Sequence, residues 1–176
     1  PSLLGPLIEG SKRFLRIYPM SGAKLMLERE ELIEQAYLYK MLSERIPQGI
    51  PLQEVLEQVR EESLATTKLP LAIDYMLGEL RHYGVMASAM SNLNHYFAPF
   101  QTYLIEEAEQ EGGRFDIRTA VEVLRCEVEY RASDPSPAGL FLFQLESLCR
   151  NRLSYDRGLL AISQDSFFDP SWQAWI

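Results

Sequence analysis

Apolar positions along the 176-residue chain recur mostly at three- and four-residue spacing, and little of it alternates with the period of two that marks a half-buried strand. Groups of Pro, Gly, Ser, Asn and Asp punctuate the pattern at 18–22 (YPMSG), 46–51 (IPQGIP), 68–70 (KLP), 91–94 (SNLN), 111–116 (EGGRFD), 133–137 (SDPSP) and 167–171 (FFDPS). The stretches between them have helical length. This predicts an all-α fold with no sheet: a single domain over 1–176, built as an irregular bundle of six or seven helices.

Individual elements follow from the same pattern. The segment 21–46 places Leu25, Leu32, Ala36 and Tyr39 near helical spacing, over about seven turns. A further helix opens at Pro51 and gathers Leu52, Val55, Leu56 and Val59 on one side. Asp116 is a predicted N-cap, followed by the stripe Ile117, Val121, Leu124 and Val128, with Glu122, Arg125 and Glu129 outside it. Ser136 and Pro137 pair a capping side chain with a first-turn proline. The helix they open is predicted to run to about Ser163 at the centre of the bundle, because Phe141, Leu145, Leu148, Arg152, Tyr155, Leu159 and Ile162 form one seam. Leu142, Cys149, Leu153 and Leu160 widen that face. A lane of Gln144, Ser147, Asn151, Ser154 and Gly158 carries no long charged residue and suits the close approach of a neighbouring helix or the wall of a small polar pocket.

From Tyr83 through Ile105 there is no Asp, Glu, Lys or Arg. Asn92, Asn94, His95, Pro99 and Gln101 make the stretch expensive in hydrocarbon, so burial in a protein core explains it better than a membrane does. The expected arrangement is a helix-turn-helix hub, with Leu77, Leu80, Tyr83, Ala87 and Met90 before the turn and Phe97, Phe100 and Leu104 after it.

Charge narrows the function classes. A net charge of -8 and a pI near 4.9 disfavour a track for nucleic-acid phosphates, which needs clustered Lys and Arg. The acidic runs at 54–62 and 106–111 read as solvated helix faces. Two cysteines, Cys126 and Cys149, are too few and too far apart for a disulfide framework or a CxxC knuckle, and fit a reduced cytoplasmic protein. The N-terminal residues place their basic side chains after a short apolar piece, the reverse of a secretory signal. The chain reads as a trimmed piece of a longer one.

Chemistry-bearing patterns are sparse. Glu79 and His82 form an E-x-x-H, a spacing that serves di-iron sites in helical bundles. The second such motif is missing, because the other histidine, His95, follows Asn92 in N-L-N-H. In one unbroken helix residues 13 apart lie about 20 Å apart along the axis and about 140° apart around it, so the two histidines cannot share an ion. A metal site is not expected, and neither is a cofactor; what remains is His82 and Glu79 joined by a carboxylate such as Glu106 or Glu107. There is no G-x-S-x-G, no Walker loop and no dinucleotide-binding glycine motif. Arg152 falls on the apolar seam, where a guanidinium needs a carboxylate partner, for which Asp156 is nearest, or an anionic ligand.

Two functional expectations follow. In the first, the chain is a non-catalytic helical module acting through protein contacts or self-association, with Phe167, Phe168, Trp172 and Trp175 as an exposed aromatic interface. In the alternative it binds a small molecule, or acts on one, in a pocket between the His82 helix and the Arg152 helix, with His82, Glu79, Arg152, Tyr155 and Asn151 as its polar groups.

Overall fold

The computed structural model describes residues 27–110, 112–113 and 115–176. Among them the chain forms nine α-helices and one 3-10 turn, with no strand. The all-α expectation holds, and the count of six or seven rises to nine because two stretches break where the sequence pattern ran on. The reading of the N-terminal residues, and the part of the 21–46 segment before Leu27, lie outside the described residues.

Helix α1 (Arg29–Arg45) carries Glu30 and Glu31 in its first turn and Arg45 in its last, matching the charges at the two ends of the helix dipole. A 3-10 turn (Ile46–Gln48) ends at Gly49, whose φ of 81° a side chain would strain. Helix α2 (Leu52–Glu62) buries Val55, Leu56 and Val59, the face expected from its spacing. Helix α3 (Leu69–Tyr83) stops at Gly84, again left-handed, and the short α4 (Ala87–Asn92) follows. Helix α5 (Pro99–Glu109) opens on its proline. Helix α6 (Ile117–Ala132) starts at the Asp116 cap, whose carboxylate accepts the Thr119 N–H at 2.8 Å.

The 83–105 stretch is a corner of the core. Leu77, Leu80, Ala87, Met90, Phe97, Phe100 and Leu104 are buried, whereas Tyr83, expected among them, is 70% exposed at the end of α3. Two carboxylates reach across the fold to hold this corner's helix starts. Both Glu31 oxygens accept the Lys68 N–H at 3.0 Å, at the start of α3, and Glu109 accepts the Met86 and Ala87 N–H groups at 2.6 and 3.0 Å, at the start of α4. Acidic residues thus supply from a distance the caps that α3 and α4 lack locally.

The long helix expected over 136–163 is two helices, α7 (Pro137–Asn151) and α8 (Tyr155–Ser163). Arg152 takes a left-handed conformation at φ 55°, its N–H returns to Cys149 O, and the Leu153 N–H returns to Leu148 O at 3.0 Å. That pair of bonds is a Schellman stop, with Leu153 and Leu148 both buried beside it. Ser154 then caps α8. The two helices pack closely, since a Cβ on Gly158 would lie 2.6 Å from Leu148 methyl carbons. The polar lane is therefore a packing lane at Gly158. The largest helix-helix interface is that of α1 with α6, which displaces α7 from the central position expected for it. Helix α9 (Pro170–Trp175), capped by Asp169, ends the described chain.

Candidate functional site

A cavity of about 580 Å³ opens between α1, the α4–α5 corner, α5, α6 and α8. Its apolar wall includes Leu32, Tyr96, Phe97, Leu160 and Phe167. Gln35, Gln101, Thr102, Arg131 and Asp165 are the polar side chains that line it from within the protein.

Each of these groups is held by the local structure. Gln101 sits in the first turn of α5, and its Oε1 accepts the Ala98 N–H at 3.2 Å, half of a capping box. That contact fixes the amide so that Nε2 donates to Glu127 Oε2 at 3.0 Å. Gln35, on α1, donates to the Tyr96 carbonyl at 2.7 Å and pins the corner to the helix. Glu127, wholly buried on α6, also accepts from Gln144 Nε2 at 3.0 Å and from Arg131 Nε at 2.6 Å. Arg131 donates through Nη2 to Asp165, whose other oxygen accepts the Phe167 N–H at 2.8 Å. One guanidinium is therefore clamped between two carboxylates, with its side chain 8% exposed. Burial works against its charge, but Glu127 and Asp165 outweigh that and raise its pKa. The Phe167 ring lies 5.8 Å from it as a cation-π partner.

A second clamp stands at the mouth. Arg157, on α8, donates to Glu107 at 2.5 Å and Glu106 at 3.0 Å, over the ring of Tyr103. Burial, then the nearby Glu107, pushes the Tyr103 hydroxyl up to about 12. That hydroxyl donates to Ser154 O at 3.1 Å and so ties α5 to the start of α8.

The residues expected to make a pocket stand elsewhere. His82 is exposed near the end of α3, and Glu79, half-buried, accepts from Ser88 Oγ at a long 3.5 Å. Asn151 donates to Ser147 O at 2.9 Å, Arg152 is the exposed stop of α7, and Tyr155, half out in solvent, donates to Cys149 Sγ. Chain adjacency keeps the last three at one corner. Helix α3 packs chiefly on α1, α2 and α4, whereas α7 packs on α6 and α8, so the two groups are not brought together, and none of the five lines the cavity. Glu106 and Glu107 serve Arg157 and not His82. Among the described residues no group of three His, Cys, Asp or Glu side chains is placed to hold a metal ion, and no helix is long and apolar enough to cross a membrane.

The aromatic end also divides. Phe167 and Phe168 are core residues, Trp172 is half-buried against Phe168, and Trp175 is the exposed member. Phe167 belongs to the cavity wall. Gln35, Glu127, Arg131 and Asp165 belong to no motif in the sequence, and Gln101 stands out there only as a polar residue in an uncharged stretch. One signal was present: on the α6 wheel Arg131 and Glu127 fall about 50° and 90° from the centre of the apolar stripe, which makes them an i,i+4 ion pair at the edge of the buried face.

No family model, curated protein or solved structure matches this chain.

Proposed function

We propose that the protein binds a small molecule in the cavity between α1, α5, α6 and α8. One observation carries the reading: a cavity of about 580 Å³ with aromatic and aliphatic walls has five polar side chains set into it from the protein interior. That size and that mixture of apolar wall with a few fixed polar groups are what small-molecule sites use. The site is the small-molecule alternative drawn from sequence, moved from between the His82 and Arg152 helices to the space between α1, α5, α6 and α8.

The test is a thermal-shift screen of a fragment library against the wild type and Gln164→Trp, which sets a bulky ring at an exposed residue of the cavity lining. Fragments that bind should raise Tm in the wild type in proportion to ln(1 + [L]/Kd), and the rise should be lost in the variant. A library without hits, or hits that shift both proteins equally, would remove the cavity as the site.

A second reading, action through protein contacts or self-association, draws support from Trp175. It is 67% exposed while its ring packs edge-on against Phe141 and Trp172 at 5.3 and 5.4 Å, a rigid apolar surface presented to solvent. Sedimentation of wild type and Trp175→Ala over a range of concentrations tests it; a monomer in both cases ends the self-association form of the reading.

A further inference from the structure

The hydrogen bonds made by the polar side chains of the cavity are asymmetric. Arg131 spends Nε on Glu127 and Nη2 on Asp165, and among the described residues Nη1 has no protein partner. This nitrogen is not among the solvent-sealed atoms without a partner, and Arg131, with its side chain otherwise nine-tenths buried, lines the cavity. A guanidinium carries five N–H donors in a rigid plane and no acceptor, and Nη1 holds two of them. What the cavity lacks at this point is an acceptor. Beside it, Asp165 lines the same cavity and takes one hydrogen bond on each oxygen, which leaves lone pairs for a donor.

Charge decides which acceptor fits. The two guanidinium groups of the cavity, Arg131 and Arg157, are each already met by two carboxylates, and no lysine lines it among the described residues. Among the described residues an anionic head group would find no cation in need of a partner and would approach surplus negative charge. A cationic head group would be drawn by that surplus, but it has no acceptor for Nη1 and would sit against a like charge. A neutral group with an acceptor and a donor side by side satisfies both partners.

Resting on the reading of the cavity as a small-molecule site, we propose that its ligand carries a neutral amide-type head, a primary carboxamide or lactam. The carbonyl accepts from Arg131 Nη1, an N–H donates to Asp165, and an apolar or aromatic body lies along Leu32, Tyr96, Phe97 and Phe167. Gln35 and Gln101 need no ligand, because they already bond to Tyr96 O, Glu127 and the Ala98 N–H.

Three probes of nearly equal shape separate the charge classes: benzamide, benzoate and benzamidine. Each is titrated to about 10 mM into ¹⁵N-labelled wild-type protein while the Arg131 Nε–Hε signal and the backbone signals of Gln35, Gln101 and Phe167 are followed, a range suited to fragments with millimolar Kd. The expected result is saturable movement of these signals by benzamide, with benzoate and benzamidine at least about tenfold weaker. If either charged probe moves the same signals as strongly as benzamide, the ligand class is wrong while the cavity remains a binding site. Benzamide shifts confined to the mouth, at His95 and Arg157, overturn the placement on Arg131. No movement from any of the three removes the class and the site together.

Discussion

Two of the three arginines of helix α6, Arg125 and Arg131, are each gripped by two carboxylates, in opposite surroundings. Arg125 meets Glu122 at 2.6 Å and Glu129 at 2.7 Å, one on either side along the helix, and the two carboxylate side chains are about half exposed. Arg131 meets Glu127 and Asp165, whose side chains are 0% and 3% exposed. The bonding pattern is nearly the same. In the first cluster the carboxylates stand half in water, and the hydrogen bonds that Arg125 donates to Glu122 and Glu129 dominate its raised pKa. In the second, burial is the largest influence on Arg131 and opposes its charge, and the paired carboxylates must overcome it. Local geometry therefore says little about what an ion pair is worth; the cost of leaving its members unpaired sets the value.

The largest expected effect follows directly. Arg131→Met leaves two buried carboxylates without a cation and should cost about 3–5 kcal/mol of unfolding free energy, read from urea denaturation near pH 7. A loss below about 1 kcal/mol would mean that water reaches Glu127 and Asp165 in the variant, and the contrast between the two clusters would collapse.

Sequence made the two clusters unequally legible. Glu122, Arg125 and Glu129 were placed outside the apolar stripe, and they are there. The pair Glu127 and Arg131 has the same i,i+4 signature, but Asp165 lies 34 residues further on, in the turn after α8, and only the tertiary fold brings it in. Gln101 was legible as a polar residue in an uncharged stretch; its role needed the Ala98 cap and the approach of α6. The same limit explains α7 and α8. Their apolar seam continues in phase across Arg152, so periodicity hid a stop that depends on two backbone bonds and a left-handed residue without glycine. Ser154, a capping residue in mid-pattern, was the one local sign of a restart. The hub at 83–105, by contrast, was readable because absence of charge over 23 positions is a property of the segment alone.

Asp116, at the start of α6, sharpens the comparison with a third kind of partner. Its carboxylate is exposed, yet it bonds backbone N–H groups that the helix leaves orphaned, and the Thr119 N–H is the main cause of its lowered pKa. Asp116→Ala should cost about 1 kcal/mol at neutral pH, as loss of an N-cap does. Because the folded pKa lies below the unfolded value, the charge's contribution is complete above about pH 4 and is lost as pH falls through the folded value. Urea titrations of both proteins from pH 7 to about pH 2 should show the gap between them narrow over that acidic range. A gap that stayed constant would assign the effect to backbone propensity and not to the cap.

The smallest effect belongs to the exposed cluster and is the more demanding test of the argument. Arg125→Met breaks two short contacts, but the carboxylates it frees return to water, so the loss should be about 0.2–1 kcal/mol. Salt separates this outcome from a merely weak mutation. At about 1 M NaCl the Debye length falls to roughly 3 Å, so the Arg125 cluster should contribute almost nothing and wild type and Arg125→Met should converge in stability. The gap between wild type and Arg131→Met should persist under the same conditions, since mobile ions cannot enter between side chains sealed from solvent. Convergence of both pairs of curves would place ions, and hence water, between Arg131 and the carboxylates of Glu127 and Asp165, and the contrast between the two clusters would be lost.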